Sequence, residues 1–191
     1  MPIDEKTLAR HLNPVFIETG AGVCNGSKLA LKLGFPQIKV IEFDREIYER
    51  ALLRFPNNPE VEVIYGDSGL VLPDVIRGIR GPITFWLDAH GKGCDTSGVL
   101  ALKPLLRELG AIAAHPDREL HTVLIDDYDY IESKRLAPHL TAKSVREALA
   151  RINPRFRLSR VDGLPLANRD PCWLVLIAEP EEKGGTGNGN V

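Results

Sequence analysis

Short apolar runs rich in Val, Ile and Phe punctuate the chain at residues 15–18, 38–42, 61–65, 82–87, 121–125 and 171–178. Between most of them, apolar positions recur at helical spacing, which predicts helices over 26–33, 45–54, 69–77, 98–113 and 141–151. Asp44 and Ser68 read as N-caps, and Gly34 as a C-terminal stop. Strands that alternate with helices build a parallel sheet covered on both faces. After 121–125 the pattern changes. Residues 155–161 and 172–178 are two extended runs joined by Asp-Gly-Leu-Pro-Leu-Ala-Asn-Arg-Asp-Pro, with no helix between them, which predicts an antiparallel hairpin. The expected fold is one three-layer α/β/α domain over 1–182. Its sheet has seven strands, six in one direction and the last antiparallel. A Gly- and Asn-rich tail, 183–191, is flexible by composition.

The run 15–18 opens the most informative stretch, Val-Phe-Ile-Glu18-Thr-Gly20-Ala-Gly22-Val-Cys-Asn-Gly26-Ser27. Glycines at the end of a first parallel strand allow a sharp turn and close backbone approach, as a cofactor site requires. Glu42 ends the second run, where a carboxylate can accept from both hydroxyls of a ribose. An adenosine-type cofactor is therefore expected. The dinucleotide fingerprint Gly-x-Gly-x-x-Gly uses a similar turn, but here the last glycine falls at 26 rather than 25. The acid at 18 would repel a pyrophosphate and suits an ammonium.

Ligand sites of open parallel sheets lie beyond the carboxyl ends of the strands, so acids found there gather at one crevice. The third strand ends Tyr-Gly-Asp67-Ser68, where Asp67 can accept from an adenine amino group while the Ser68 backbone meets a ring nitrogen; the same residues also make a good helix-capping turn. The fourth ends Phe-Trp-Leu-Asp88-Ala-His90, and the fifth Leu-Ile-Asp126-Asp127-Tyr. Three facing carboxylates repel unless a cation joins them. An all-oxygen set favours a hard ion such as Mg²⁺, with capping and cofactor contacts as the alternative roles. His90, leading into Gly91-Lys92-Gly93, is a candidate general base above the crevice. Trp86 and Trp173 lie inside apolar runs and read as core. The 98–113 helix reads as structural, and His11, His115, His121 and His139 show no ligand spacing.

Taken together, Phe-Ile-Glu-Thr-Gly, Val-Ile-Glu, Tyr-Gly-Asp-Ser, Phe-Trp-Leu-Asp-Ala-His and Leu-Ile-Asp-Asp-Tyr resemble the class I S-adenosylmethionine-dependent methyltransferases. The resemblance spans about 14–178 and points to the macrocin-type sugar and macrolide O-methyltransferases. It implies a Rossmann-like methyltransferase fold and an S-adenosylmethionine site made by Glu18, Gly20, Ala21, Gly22, Gly26, Ser27, Glu42, Phe43, Asp67, Ser68 and Asp88. It also implies a divalent cation on Asp88, Asp126 and Asp127, transfer to a small-molecule hydroxyl, and Asp88 and His90 as catalytic residues. Two departures are visible. Cys24 stands where the family has its third glycine, and Asp88-Ala-His90 replaces an Asp-x-Asp motif.

With 191 residues, 43% of them hydrophobic, the chain suffices for one full core. A net charge of −2 leaves no electrostatic footprint for nucleic acid. Three widely spaced cysteines, Cys24, Cys94 and Cys172, indicate neither a disulfide framework nor a zinc site. Without a targeting segment or membrane-length apolar run, the expectation is a soluble cytoplasmic protein, with oligomers open. A non-catalytic adenosyl-binding module and a nicotinamide-dependent oxidoreductase are the rival functions.

Overall fold

The computed structural model of the chain describes residues 3–89, 104–133, 140–162 and 174–181. Seven strands form a single sheet: β1 (Val15–Thr19), β2 (Gln37–Glu42), β3 (Val61–Tyr65), β4 (Ile83–Leu87), β5 (Thr122–Ile125), β6 (Arg157–Asp162) and β7 (Leu174–Glu179). Their order is β3-β2-β1-β4-β5-β7-β6. The first five are parallel, whereas β7 runs antiparallel to both β5 and β6. Six strands thus share a direction and one opposes them, as the sequence pattern anticipated.

Period-two alternation sends the two faces of each strand into separate cores. Val15, Ile17, Ile83, Phe85, Leu87, Val123 and Ile125 face one core. It is closed by α4 (Ser68–Ile76), α5 (Leu105–Ala114), α6 (Tyr128–Glu132) and α7 (Ala142–Ile152). Phe16, Ile38, Val40, Trp86, Leu124, Val175 and Ile177 face the other. There they meet α1 (Glu5–Ala9), α2 (Asn25–Leu33) and α3 (Arg45–Leu52). The three layers are therefore α1–α3, the sheet, and α4–α7. Trp86 is fully buried in the second core, as expected; Trp173 lies outside the described residues.

Local chemistry sets most element ends. Asp44 caps α3 by accepting from the Ile47 N–H, and Gly34 closes α2 in the left-handed region. Ser68 is not the cap of α4. Asp67 holds that place and accepts from the Gly69 N–H at 2.9 Å, leaving Ser68 as the first helical residue. Three elements were not anticipated: α1, the five-residue α6, and a 3₁₀ turn at Arg118–Leu120. All are too short for periodicity to mark. The expected helix over 98–113 is seen as Leu105–Ala114, its expected first part lying outside the described residues. The first hairpin strand begins at Arg157, two residues later than expected, and the second is described from Leu174 onward.

Candidate active site

Strand register decides which side chains meet. Thr19 pairs with Ile41 and Leu87, and Leu87 with Ile125. The next residue on each strand, Gly20, Glu42, Asp88 and Asp126, therefore falls in one row at the carboxyl edge of four neighbouring strands. Backbone bonds extend the ladder past the strand ends: Gly20 N–H donates to the Ile41 carbonyl, Asp88 N–H to Thr19, and Asp126 N–H to Leu87.

The glycine turn crosses the head of this row, and its three glycines serve three purposes. Gly20 has φ +79°, and a Cβ there would stand 2.7 Å from the Asp88 carbonyl oxygen, so it allows the β1 and β4 ends to touch. Gly22, at φ +49°, borders open space. A Cβ on Gly26 would collide with the Glu18 carboxylate. Cys24, where the sequence resemblance implies a third glycine, is buried with φ 58°. The backbone thus keeps the left-handed turn that glycine would adopt freely, at a cost of about 1–2 kcal/mol.

Glu18 points toward α2 and is buried. It accepts from the Ser27 N–H at 2.9 Å and from the Ser27 hydroxyl. Cys24, the N-cap residue of α2, makes no side-chain cap bond. A carboxylate delivered from β1 therefore supplies the negative charge that the helix N-terminus favours. In dinucleotide-binding folds a pyrophosphate sits at that terminus. Here a buried acid occupies it. Burial pushes the Glu18 carboxyl up to about 7, with the Ser27 hydrogen bonds opposing the shift.

Glu42 is held by three backbone donors: Ala21 N–H at 2.8 Å, Gly22 N–H at 3.4 Å and Asp44 N–H at 2.8 Å. The acid at the β2 tip thus locks the glycine turn. Ala21 and Ser27 are buried beside these carboxylates, and Phe43 is 53% exposed, an aromatic surface next to Glu42. Asp67 accepts from Gly69 N–H and from Arg107 of α5, whose Nη2 lies 3.0 Å from Oδ2.

The remaining acids crowd one another. Burial raises Asp88 well above the usual carboxylate range, and Asp126, Glu18 and Asp127 raise it further. Asp126 is raised by burial and by Asp127, although the Asp127 N–H donates to it at 2.8 Å. Asp127 sits at φ 51°, a left-handed conformation that turns the chain into α6. The acids are close enough to feel each other's charge. Among the described residues, no group of three or more His, Cys, Asp or Glu side chains is arranged to hold a metal ion. Register brings Asp88 and Asp126 onto neighbouring strand ends, but ligation needs their oxygens to converge on one point. His90 lies outside the described residues.

Sequence reasoning missed Glu108. On α5 the buried residues are Leu105, Glu108, Leu109 and Ile112, so an acid occupies the apolar stripe. That spacing, i, i+3, i+4, i+7, was the available signal. Glu108 is fully buried, and its carboxyl is pushed up to about 7 by burial. The Ser68 and Thr19 hydroxyls beside it oppose the shift, although neither Glu108 oxygen forms a hydrogen bond of ordinary geometry.

No protein-family model matches the chain. No curated protein matches it in sequence. Solved structures do resemble it. The O-methyltransferase TomG from Streptomyces achromogenes, in complex with S-adenosylmethionine, superposes with a TM-score of 0.62 at 14% identity, covering 92% of this chain and 77% of that one. An O-methyltransferase from Bacillus cereus, in complex with S-adenosylhomocysteine, gives 0.64 at 10% identity over 92% and 78%. An rRNA methylase from Streptococcus thermophilus gives 0.57 at 13% identity over 93% and 94%. What this chain shares with these proteins is the seven-stranded α/β/α fold of the methyltransferases.

Proposed function

We propose that this chain is an S-adenosylmethionine-dependent methyltransferase that acts on a hydroxyl of a small molecule. The observation that carries the reading is the acid at the α2 N-terminus. Glu18 fills the place where a dinucleotide would put its pyrophosphate, and its charge, with those of Asp126 and Asp127, raises Asp88 on the neighbouring strand end. A cationic ligand relieves such crowding, whereas a phosphate worsens it. Bound S-adenosylmethionine would supply an electrophilic methyl group on a positively charged sulfur. Glu42, held by Ala21, Gly22 and Asp44, is oriented to accept from ribose hydroxyls. Phe43 offers a face to the base, and Asp67 and Ser68 meet its edge. Asp88, raised by its surroundings, is placed to take or hold the acceptor's proton, with His90 as the second candidate. Domain limits of 1–182 and a cytoplasmic location belong to the same reading.

Calorimetry with S-adenosylhomocysteine, S-adenosylmethionine and NAD tests the assignment. Both adenosyl ligands are expected to bind and NAD is not; binding of NAD alone would transfer the chain to the oxidoreductases. Binding of S-adenosylhomocysteine without methyl transfer to any hydroxyl or RNA acceptor would favour the non-catalytic module. RNA belongs in the acceptor panel because a methyltransferase of the same fold is an rRNA methylase.

A metal-assisted variant is favoured by one observation, the like-charge crowding of Asp88, Asp126 and Asp127. Since these groups are not arranged as ligands, transfer to a vicinal diol is expected to survive EDTA. Loss of activity restored by Mg²⁺ would establish the metal-assisted reaction instead.

A further inference from the structure

The surroundings of Asp67, at the tip of β3, are built partly from α5, the helix that the sequence presented as structural. Arg107, on its first turn, spans the Asp67 carboxylate, with Nη2 3.0 Å from Oδ2 and 3.4 Å from Oδ1. The Asp67 side chain is only 12% exposed, so its orientation depends on its partners. Gly69 N–H supplies one and Arg107 the other. The arginine fork offers only donors, so this pairing fixes the way the Asp67 carboxylate faces.

A second observation shows that α4 makes room for the contact. A Cβ on Gly69 would stand 2.8 Å from Arg107 Nε, 3.0 Å from its Cζ and 3.0 Å from Pro104 Cβ. The guanidinium therefore lies directly against the Gly69 backbone. An alanine at 69 would push it away from Asp67 while leaving the capping N–H in place.

We infer that Arg107, seated on Gly69, is the positioning residue that makes the pocket selective for a 6-aminopurine. Resting on the methyltransferase reading, this assigns the base selectivity of that site. Asp67, fixed in orientation, has lone pairs left for a donor on the base edge. A 6-amino group donates; a 6-oxo group presents an acceptor that the carboxylate repels. Without Arg107, Asp67 is free to turn into solvent, and discrimination falls.

The test titrates S-adenosylhomocysteine and S-inosylhomocysteine against the wild type, Arg107→Met and Gly69→Ala, with thermal melting in parallel. The wild type is expected to prefer the adenosyl ligand at least tenfold. Both variants should bind it about tenfold more weakly and lose most of the preference. Unchanged preference in both variants overturns the inference, and so does a fall in melting temperature with preference intact, since a structural clasp alone would behave that way. A wild type that binds neither ligand overturns the methyltransferase reading itself. A wild type that binds the adenosyl ligand while the variants discriminate as well as it does overturns only the role of Arg107.

Discussion

Glu108 shows how much one residue can work against its surroundings. It lies on the apolar stripe of α5 between Leu105 and Ile112, where a leucine would add to the core. Its carboxyl is raised from 4.5 to about 7, so the folded protein holds its proton more tightly than the unfolded chain does. The stability linked to this group is fully present below about pH 4.5 and is lost as pH rises toward 7. Glu108→Gln keeps the shape and cannot ionise. Its stability relative to wild type is expected to rise by about 3 kcal/mol between pH 4 and pH 8. Urea unfolding at the two pH values measures this. Parallel curves would mean that Glu108 finds a compensating partner in solution.

At the scale of elements, the glycine turn between β1 and α2 joins packing to function. Gly20 and Gly22 both have positive φ, but only Gly20 is pressed against the backbone of β4. Gly20→Ala must separate the β1 and β4 ends and with them the row of Glu42, Asp88 and Asp126. It should cost more than 2–3 kcal/mol, roughly the scale of an overpacked and strained backbone position. Gly22→Ala meets open space and should cost only the left-handed strain, about 1 kcal/mol. Thermal melts of the two variants are expected to rank in that order. Equal losses would show that φ alone controls the turn. Much of this element was legible in sequence, because a strand, an acid and spaced glycines leave few alternatives. The division of labour among the glycines was not legible, since it depends on which neighbouring strand each one touches.

Across the whole molecule, the end of the sheet opposite the crevice is closed by a pair of histidines. His121 accepts from the Ile83 N–H through Nδ1, so its Nε2 carries the proton and faces His115 Nδ1 at 2.9 Å. His115 Nδ1 also accepts from the Asp117 N–H, and its Nε2 reaches the Ile79 carbonyl. The chain of bonds ties the start of β4 to the segments before and after the Arg118–Leu120 turn. A second proton on either ring breaks it. Burial, and then His115, lowers His121 to about 4. The unfolded chain therefore takes up a proton near pH 6.5 that the folded one refuses, and stability falls as pH drops from about 6.5 to 4. His121→Asn keeps an acceptor for Ile83 and does not titrate. Between pH 7 and pH 5 the wild type is expected to lose up to about 2 kcal/mol relative to this variant. Chemical denaturation at both values checks it, and an unchanged difference would show that the pair is charged or solvated. Glu18 and Glu108 act in the opposite sense over part of this range, so only the difference between the two proteins isolates His121.

The amino-acid sequence by itself determined the alternation of strands and helices, the two-sided burial of the parallel strands, the closing hairpin and the acids at the strand tips. These follow from local periodicity and from residues whose conformational demands are strong, such as Gly34 and Asp44. Tertiary structure alone decided which acids share a row and what each one holds: Glu18 the N-terminus of α2, Glu42 the glycine turn, and Asp67 the guanidinium of Arg107. The reason is physical. Register and side-chain partnership are contacts between residues from 9 to 69 positions apart, and no local pattern encodes the distance between them. The same limit hid Glu108 and the histidine pair. Each reads in sequence as an ordinary polar residue, and becomes unusual only when folding removes the water around it.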